Sequence, residues 1–261
     1  MIYRLLTISL LLNALSAHSC PLQKLTYITE DYPPHNFREN GILKGVSVDL
    51  LLEALKAINC PIERTSIQVL PWTRGYTMIQ SQSDVVLFGT SRLEEREKLF
   101  KWAGPYITTS ITLIAKKDSQ IKIRNPTDIK NYTIGVVKDD VGEKLIKSIG
   151  VSQTQIKYGN NEPETLARML AADRFDLWSA EINGTKWLLT KLGYDIQQFE
   201  VVYTFNSVPA FYAFSKNVPD TTVALLQKGI DIATNTELPS GHTLLDEIYT
   251  KYGLKKLNHP K

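Results

Sequence analysis

The sequence predicts an α/β fold of two lobes joined by a hinge that the chain crosses twice, and three observations carry that expectation. Strand-like and helix-like segments alternate along most of the chain, the pattern of largely parallel sheets with helices on their faces. A polar stretch, Lys116-Lys117-Asp118-Ser119-Gln120, interrupts the alternation, after which the pattern restarts. The closing strand and two helices are expected to return to the first lobe, and two crossings make a hinge about which the lobes can close.

Taken in order, residues 25–29 form a strand that ends in the proline turn Pro33-Pro34. Residues 47–58 form a helix, because Val48, Leu51, Leu52, Leu55 and Ile58 recur at helical spacing. Asn59-Cys60-Pro61 stops it. A strand over 62–69 leads through Pro71-Trp72-Thr73-Arg74 into a helix over 75–81. Residues 84–88 are an apolar strand that Gly89 ends, and 111–115 are another. Beyond the polar break, strands at 132–137, 155–158 and 176–179 alternate with helices at 142–149, 162–172 and 185–191. A strand at 207–214 and helices at 220–236 and 242–252 follow. The expected division is therefore a leader over 1–19, a first lobe over 20–116, a second over 117–203, and a return to the first over 204–261.

The leader is a secretory signal by its make-up. Arg4 supplies a positive start, residues 5–15 are apolar apart from Thr7, Ser9 and Asn13, and small residues cluster at Ala14, Ser16, Ala17 and Ser19. The apolar run is too short for a membrane-spanning helix, which needs roughly 20 residues. Export is thus expected, with a soluble mature chain. The net charge of +3 is small and the lysines are dispersed, without the basic block interleaved with aromatics that nucleic-acid binders carry. Nucleic acid is excluded as a partner. The two cysteines, Cys20 and Cys60, each precede a predicted strand. If those strands are parallel neighbours, their starts lie close enough for a disulfide, which an oxidising compartment favours. A lipidated Cys20 is the competing fate, and Ala17-His18-Ser19 before it makes a poor lipobox because His18 is bulky and polar.

Five short motifs stand in order: Asp31-Tyr32-Pro33-Pro34, residues 45–50 (Gly-Val-Ser-Val-Asp-Leu), Pro71-Trp72-Thr73-Arg74, residues 89–96 (Gly-Thr-Ser-Arg-Leu-Glu-Glu-Arg) and Gly104-Pro105-Tyr106. Their order and spacing resemble the family 3 bacterial extracellular solute-binding proteins over nearly the whole mature chain. The resemblance implies a periplasmic-binding-protein-like type II fold. It also implies a periplasmic location, a monomer, a small-molecule ligand in the interlobe cleft, and an inner-membrane ABC permease or a membrane sensor as partner. It implies that Gly89, Thr90, Ser91 and Arg96 hold a ligand carboxylate, a role for which the planar guanidinium fork is suited. Glu181, just past a strand of the second lobe, stands where the family places the partner of the ligand's ammonium. Tyr32 and Trp72 follow strands, where open α/β sheets bind ligands. Asp31 and Arg74 flank them as further candidates.

Two departures bear on the ligand. The loop Lys138-Asp139-Asp140-Val141-Gly142 carries acids where the family usually offers neutral donors, and Arg92 stands where an apolar residue or proline is usual. An amino acid with a cationic side chain, a small peptide and an amine-bearing metabolite all remain open. No cofactor is expected, and catalysis has little support. The sequence holds no Gly-x-Ser-x-Gly elbow, phosphate-cradling glycine loop or zinc spacing. A dehydratase of the cyclohexadienyl type would need a general acid, for which Glu30, Asp31 and Glu181 qualify by location only. His35 is expected to face solvent, as turn histidines usually do.

Overall fold

A computed structural model describes residues 20–254; the expected signal over 1–19 lies outside the described residues. In chain order the strands are β1 (Thr26–Thr29), β2 (Phe37–Glu39), β3 (Ile42–Lys44), β4 (Gln68–Val69), β5 (Val85–Ser91), β6 (Lys101–Lys116), β7 (Ile134–Gly135), β8 (Ile156–Lys157), β9 (Leu177–Glu181) and β10 (Phe199–Phe214). The helices are α1 (Val46–Ala57), α2 (Trp72–Ser81), α3 (Val141–Ile149), α4 (Pro163–Ala171), α5 (Ile182–Lys191), α6 (Asp220–Asn235) and α7 (Leu244–Lys251).

Eight strands run in the order β4-β1-β5-β10-β6-β9-β7-β8. The flanks β4-β1-β5 and β9-β7-β8 are parallel, as βαβ connections require. Between them β6 and β10 pair antiparallel with each other over most of their length. At one end β10 pairs with β5, and further along β6 pairs with β9. Both long strands thus pass from one parallel flank to the other, and the chain crosses between the two halves twice.

Helix α1 buries Val46, Val48, Leu50, Leu51, Ala54 and Leu55. Each fully buried valine or leucine side chain contributes about 1.5–3 kcal/mol of transfer free energy, so this face fixes the helix to the sheet. Its Asp49, 6% exposed, draws the far end of the chain back. The carboxylate accepts hydrogen bonds from Arg64 Nη1 at 2.8 Å, Lys251 Nζ at 2.6 Å and Tyr252 Oη at 2.7 Å. Burial alone would raise the Asp49 carboxyl, but these three donors hold it below its ordinary value. Cys20 and Cys60 form a disulfide with Cα atoms 5.5 Å apart, beside the paired strands β1 and β4. Among the described residues no helix is long and apolar enough to cross a membrane.

Several expected elements take other bounds. The strand over 62–69 shrinks to Gln68–Val69 because a 3-10 turn, Arg64–Ser66, occupies its first part. The strands at 111–115 and 207–214 are the ends of two 16-residue strands.

Candidate functional site

Strands β1 and β5 are parallel, so their C-terminal ends lie at one edge of the first half; β7 and β9 share an edge of the second in the same way. The loops leaving those edges carry the polar side chains of the site, as open α/β sheets dictate. After β1 the chain folds into a tight loop: Asn36 N–H donates to Tyr32 O at 3.0 Å, and Asn36 Nδ2 donates to Glu30 O at 2.7 Å. This loop presents Glu30, Tyr32 and His35. Strand β5 ends through Gly89, whose φ of +77° suits glycine and whose missing Cβ leaves Asn36 Oδ1 its place. On the other side Asp140 caps α3 and Glu181 caps α5, each side chain accepting from the first turn of its helix.

These loops enclose a cavity of about 500 Å³, counted out to its mouth. Glu30, Asp140 and Glu181 line it, with Tyr32, His35, Gly89, Ser91 and Tyr106 among the other walls. Among the described residues lining it there is no lysine or arginine. The two halves touch across it. Glu181 N–H donates to Tyr32 Oη at 3.1 Å, and His35 Nε2 lies 3.3 Å from Glu181 Oε2. Arg96 Nη2 donates to Asp139 O at 2.5 Å, and Lys144 Nζ lies 3.0 Å from Glu95 Oε1.

The acids differ in their surroundings. Burial would push the Glu181 carboxyl up, but His35 and the donors at Gly184 and Asn183 together hold it below its usual range. Glu30 is pushed well above its ordinary value, first by burial and then by the charges of Asp140 and Asp31; Arg96 offsets part of this. Asp140 is also raised, by burial with Glu143 adding to it, against the pull of Arg96 and the Val141 N–H. Glu30 and Asp140 therefore form a pair of crowded acids with too little positive charge beside them.

Of the residues expected in a site, Tyr32, Gly89, Ser91 and Glu181 line the cavity. Thr90 is fully buried, and its hydroxyl donates to Leu87 O at 3.1 Å. Arg96 is also fully buried. Its guanidinium carbon lies 5.3 Å from the Trp72 ring centre and 5.1 Å from that of Tyr76. Trp72 is thus a buried platform for Arg96, behind the cavity wall. Asp31 opens instead onto a neighbouring pocket on the other side of Tyr32, with Trp187 and Lys191. Arg74 is exposed on α2. Arg92 is exposed, 5.4 Å from the Phe211 ring centre, and pairs with Glu97.

His35 corrects the expectation that it faces solvent. It is 6% exposed, because the turn that carries it folds inward and delivers the ring to Glu181. Sequence reasoning did not place Tyr106 or Ser47 in a binding wall; it put Asp140 in a ligand-facing loop but did not single it out from Asp139. Asp140 had a usable signal, an acid directly before a predicted helix, which is where a side chain turns back over the helix start.

The profile of the bacterial extracellular solute-binding proteins, family 3, matches residues 25–253. The arginine-binding extracellular protein ArtP of Bacillus subtilis (strain 168) is 28% identical over 147 residues, which is 56% of this chain and 56% of that protein. The chain thus spans about half the length of that curated relative. Among solved structures, a histidine kinase sensor domain with similarity to periplasmic binding proteins superposes with a TM-score of 0.75 at 18% identity, covering 88% of this chain and 96% of that one. The arginine-, lysine-, histidine-binding protein ArtJ from Geobacillus stearothermophilus superposes at 0.73 with 20% identity, covering 90% and 97%. At these identities the superpositions speak for the fold, which is that of the periplasmic binding proteins. The profile match spans nearly all the described residues, and this chain belongs to the bacterial extracellular solute-binding proteins, family 3.

Proposed function

We propose that the chain is a periplasmic solute-binding protein that captures a small, positively charged solute, a basic amino acid or a related amine, between two closing lobes. The observation that carries this reading is the cavity wall, where Glu30, Asp140 and Glu181 meet without a lysine or arginine among the described lining residues. A cation there gains charge-assisted hydrogen bonds and relieves the repulsion between Glu30 and Asp140. The basic ligands named for ArtP and ArtJ agree with it. We take residues 20–116 and 204–254 as one lobe and 117–203 as the other, with β6 and β10 as the hinge; residues 255–261 of the expected return lie outside the described residues. The binding proteins among the chain's relatives support a binding role rather than catalysis. The partner in this reading is an inner-membrane ABC permease; the likeness to a kinase sensor domain concerns the fold alone and does not favour a sensor.

Thermal unfolding of the mature chain with a panel of solutes tests the reading. Arginine, lysine, histidine, agmatine and cadaverine form the cationic arm; glutamate and leucine form the other. A bound solute at a hundred times its Kd stabilises by about 2.7 kcal/mol, a shift of about 5 °C or more for a chain of this size. Stabilisation confined to members of the cationic arm is expected. Stabilisation by glutamate or leucine alone, or by nothing in the panel, contradicts it.

A further inference from the structure

Of the four residues that the family resemblance assigns to a ligand carboxylate, Ser91 stands in the cavity wall, and the other three have donors engaged elsewhere in this molecule. Gly89 N–H donates to Tyr106 Oη at 2.8 Å. The Thr90 hydroxyl is spent on Leu87 O at 3.1 Å, within a residue that has no exposed surface. Arg96, equally buried, donates through Nη1 to Ser91 O at 3.1 Å and through Nη2 to Asp139 O at 2.5 Å. Its guanidinium rests on the stacked rings of Trp72 and Tyr76, and its Nε is buried without a hydrogen-bond partner among the described residues. Arg96 is a strap between the two halves.

The second half offers a carboxylate no better reception. The start of α3, whose free N–H groups and positive dipole end would suit an anion, holds the protein's own acids. Val141 N–H donates to Asp140 Oδ1 at 2.6 Å, and Asp139 N–H donates to Glu143 Oε2 at 2.6 Å. Asp140 then stands in the cavity wall, facing Glu30 and Glu181 around the same space. A carboxylate brought there adds a fourth acid to three and makes ionising any of them costlier, whereas a cation makes it easier.

We propose that the solute is an amine or guanidine that carries no carboxylate, so that the protein discriminates against α-amino acids in favour of their decarboxylated counterparts. The inference rests on the cavity being the ligand site, and it narrows what that cavity takes. The positive group docks against Glu181 and the Glu30–Asp140 pair, while the rest of the molecule lies along Tyr32, Tyr106 and Ile107 of the same wall. Aromatic faces there suit the alkyl stem of an amine and attract its charge.

Matched pairs decide it. Calorimetric titration of the mature chain with agmatine against arginine, and with cadaverine against lysine, changes the carboxylate and leaves the distal cation alone. The decarboxylated member of the preferred pair is expected to bind at least tenfold more tightly. Arginine or lysine binding as tightly as its counterpart, or more tightly, overturns the inference and leaves the cation-binding cavity standing. Failure of all four to bind overturns both.

Discussion

Glu181→Gln is expected to weaken binding of the preferred cation at least about a hundredfold, a loss of about 2.7 kcal/mol. The substitution keeps the size of the side chain and an oxygen that can accept from Gly184 N–H, so the cap on α5 survives. What is lost is the charge that faces the cavity and pairs with His35. Removing a buried carboxylate that faces a bound cation is among the more costly single changes at a binding site. The variant also changes the acid limb of stability. Because the folded carboxyl of Glu181 is held below its unfolded value of 4.5, its contribution is present above that value and disappears as pH falls through the lowered one. The stability gap between wild type and Glu181→Gln should therefore narrow on acidification. Undiminished affinity in the variant, read by calorimetry, would remove Glu181 from the site.

Gly184→Ala is expected to weaken the same cation at least about tenfold while leaving the two halves folded. Gly184 lies on α5 in the second half, and a Cβ there would stand 2.9 Å from Tyr32 Cε1 and 3.0 Å from Pro33 O in the first. Tyr32 has little room to yield, since its hydroxyl accepts from Glu181 N–H. The methyl group therefore acts as a wedge where the halves meet, and it opposes closure more than folding. Small-angle scattering with saturating agmatine should show a larger radius of gyration for the variant than for wild type. Equal radii and equal affinities would contradict the wedge.

Much of this fold was legible because it rests on local regularities. The helical spacing of Val48, Leu51 and Leu55 places α1, and their burial confirms the face. The cysteines before two strands anticipate a bridge that the parallel pairing of β1 and β4 brings about. The long strands β6 and β10 were only half visible. Register shifts interrupt β10 at three places, and Gly104-Pro105 and Pro209 lie inside the pair, so the alternation of apolar and polar side chains is broken. The hairpin of β2 and β3 went unread although it carried its signal. Asn40 and Gly41 both adopt positive φ, and Asn-Gly is the turn such a hairpin favours.

Tyr32, expected from its place after a strand, and Glu181, expected from the family resemblance, both line the candidate cavity. Arg96 is buried behind that cavity, because its surroundings come from distant segments: a stacked aromatic pair on α2 and a carbonyl from the second half. The pairing of His35 with Glu181 is likewise a product of the closed arrangement, and nothing near either residue in the chain announces it.

In the proposed role, Glu30 and Asp140 are crowded acids that await a positive charge. Burial and neighbouring acids raise both, with Asp140 and Asp31 acting on Glu30, Glu143 acting on Asp140, and Arg96 opposing the rise at each. A bound cation lowers those values again, so protons must leave as it binds, and affinity must rise with pH between the ordinary carboxylate range and the raised one. Calorimetric titration with agmatine at about pH 6, in buffers of low and high ionisation enthalpy, reads that proton count directly. Net proton release is expected; binding with no exchange of protons, or with proton uptake, would remove Glu30 and Asp140 from the cation's site.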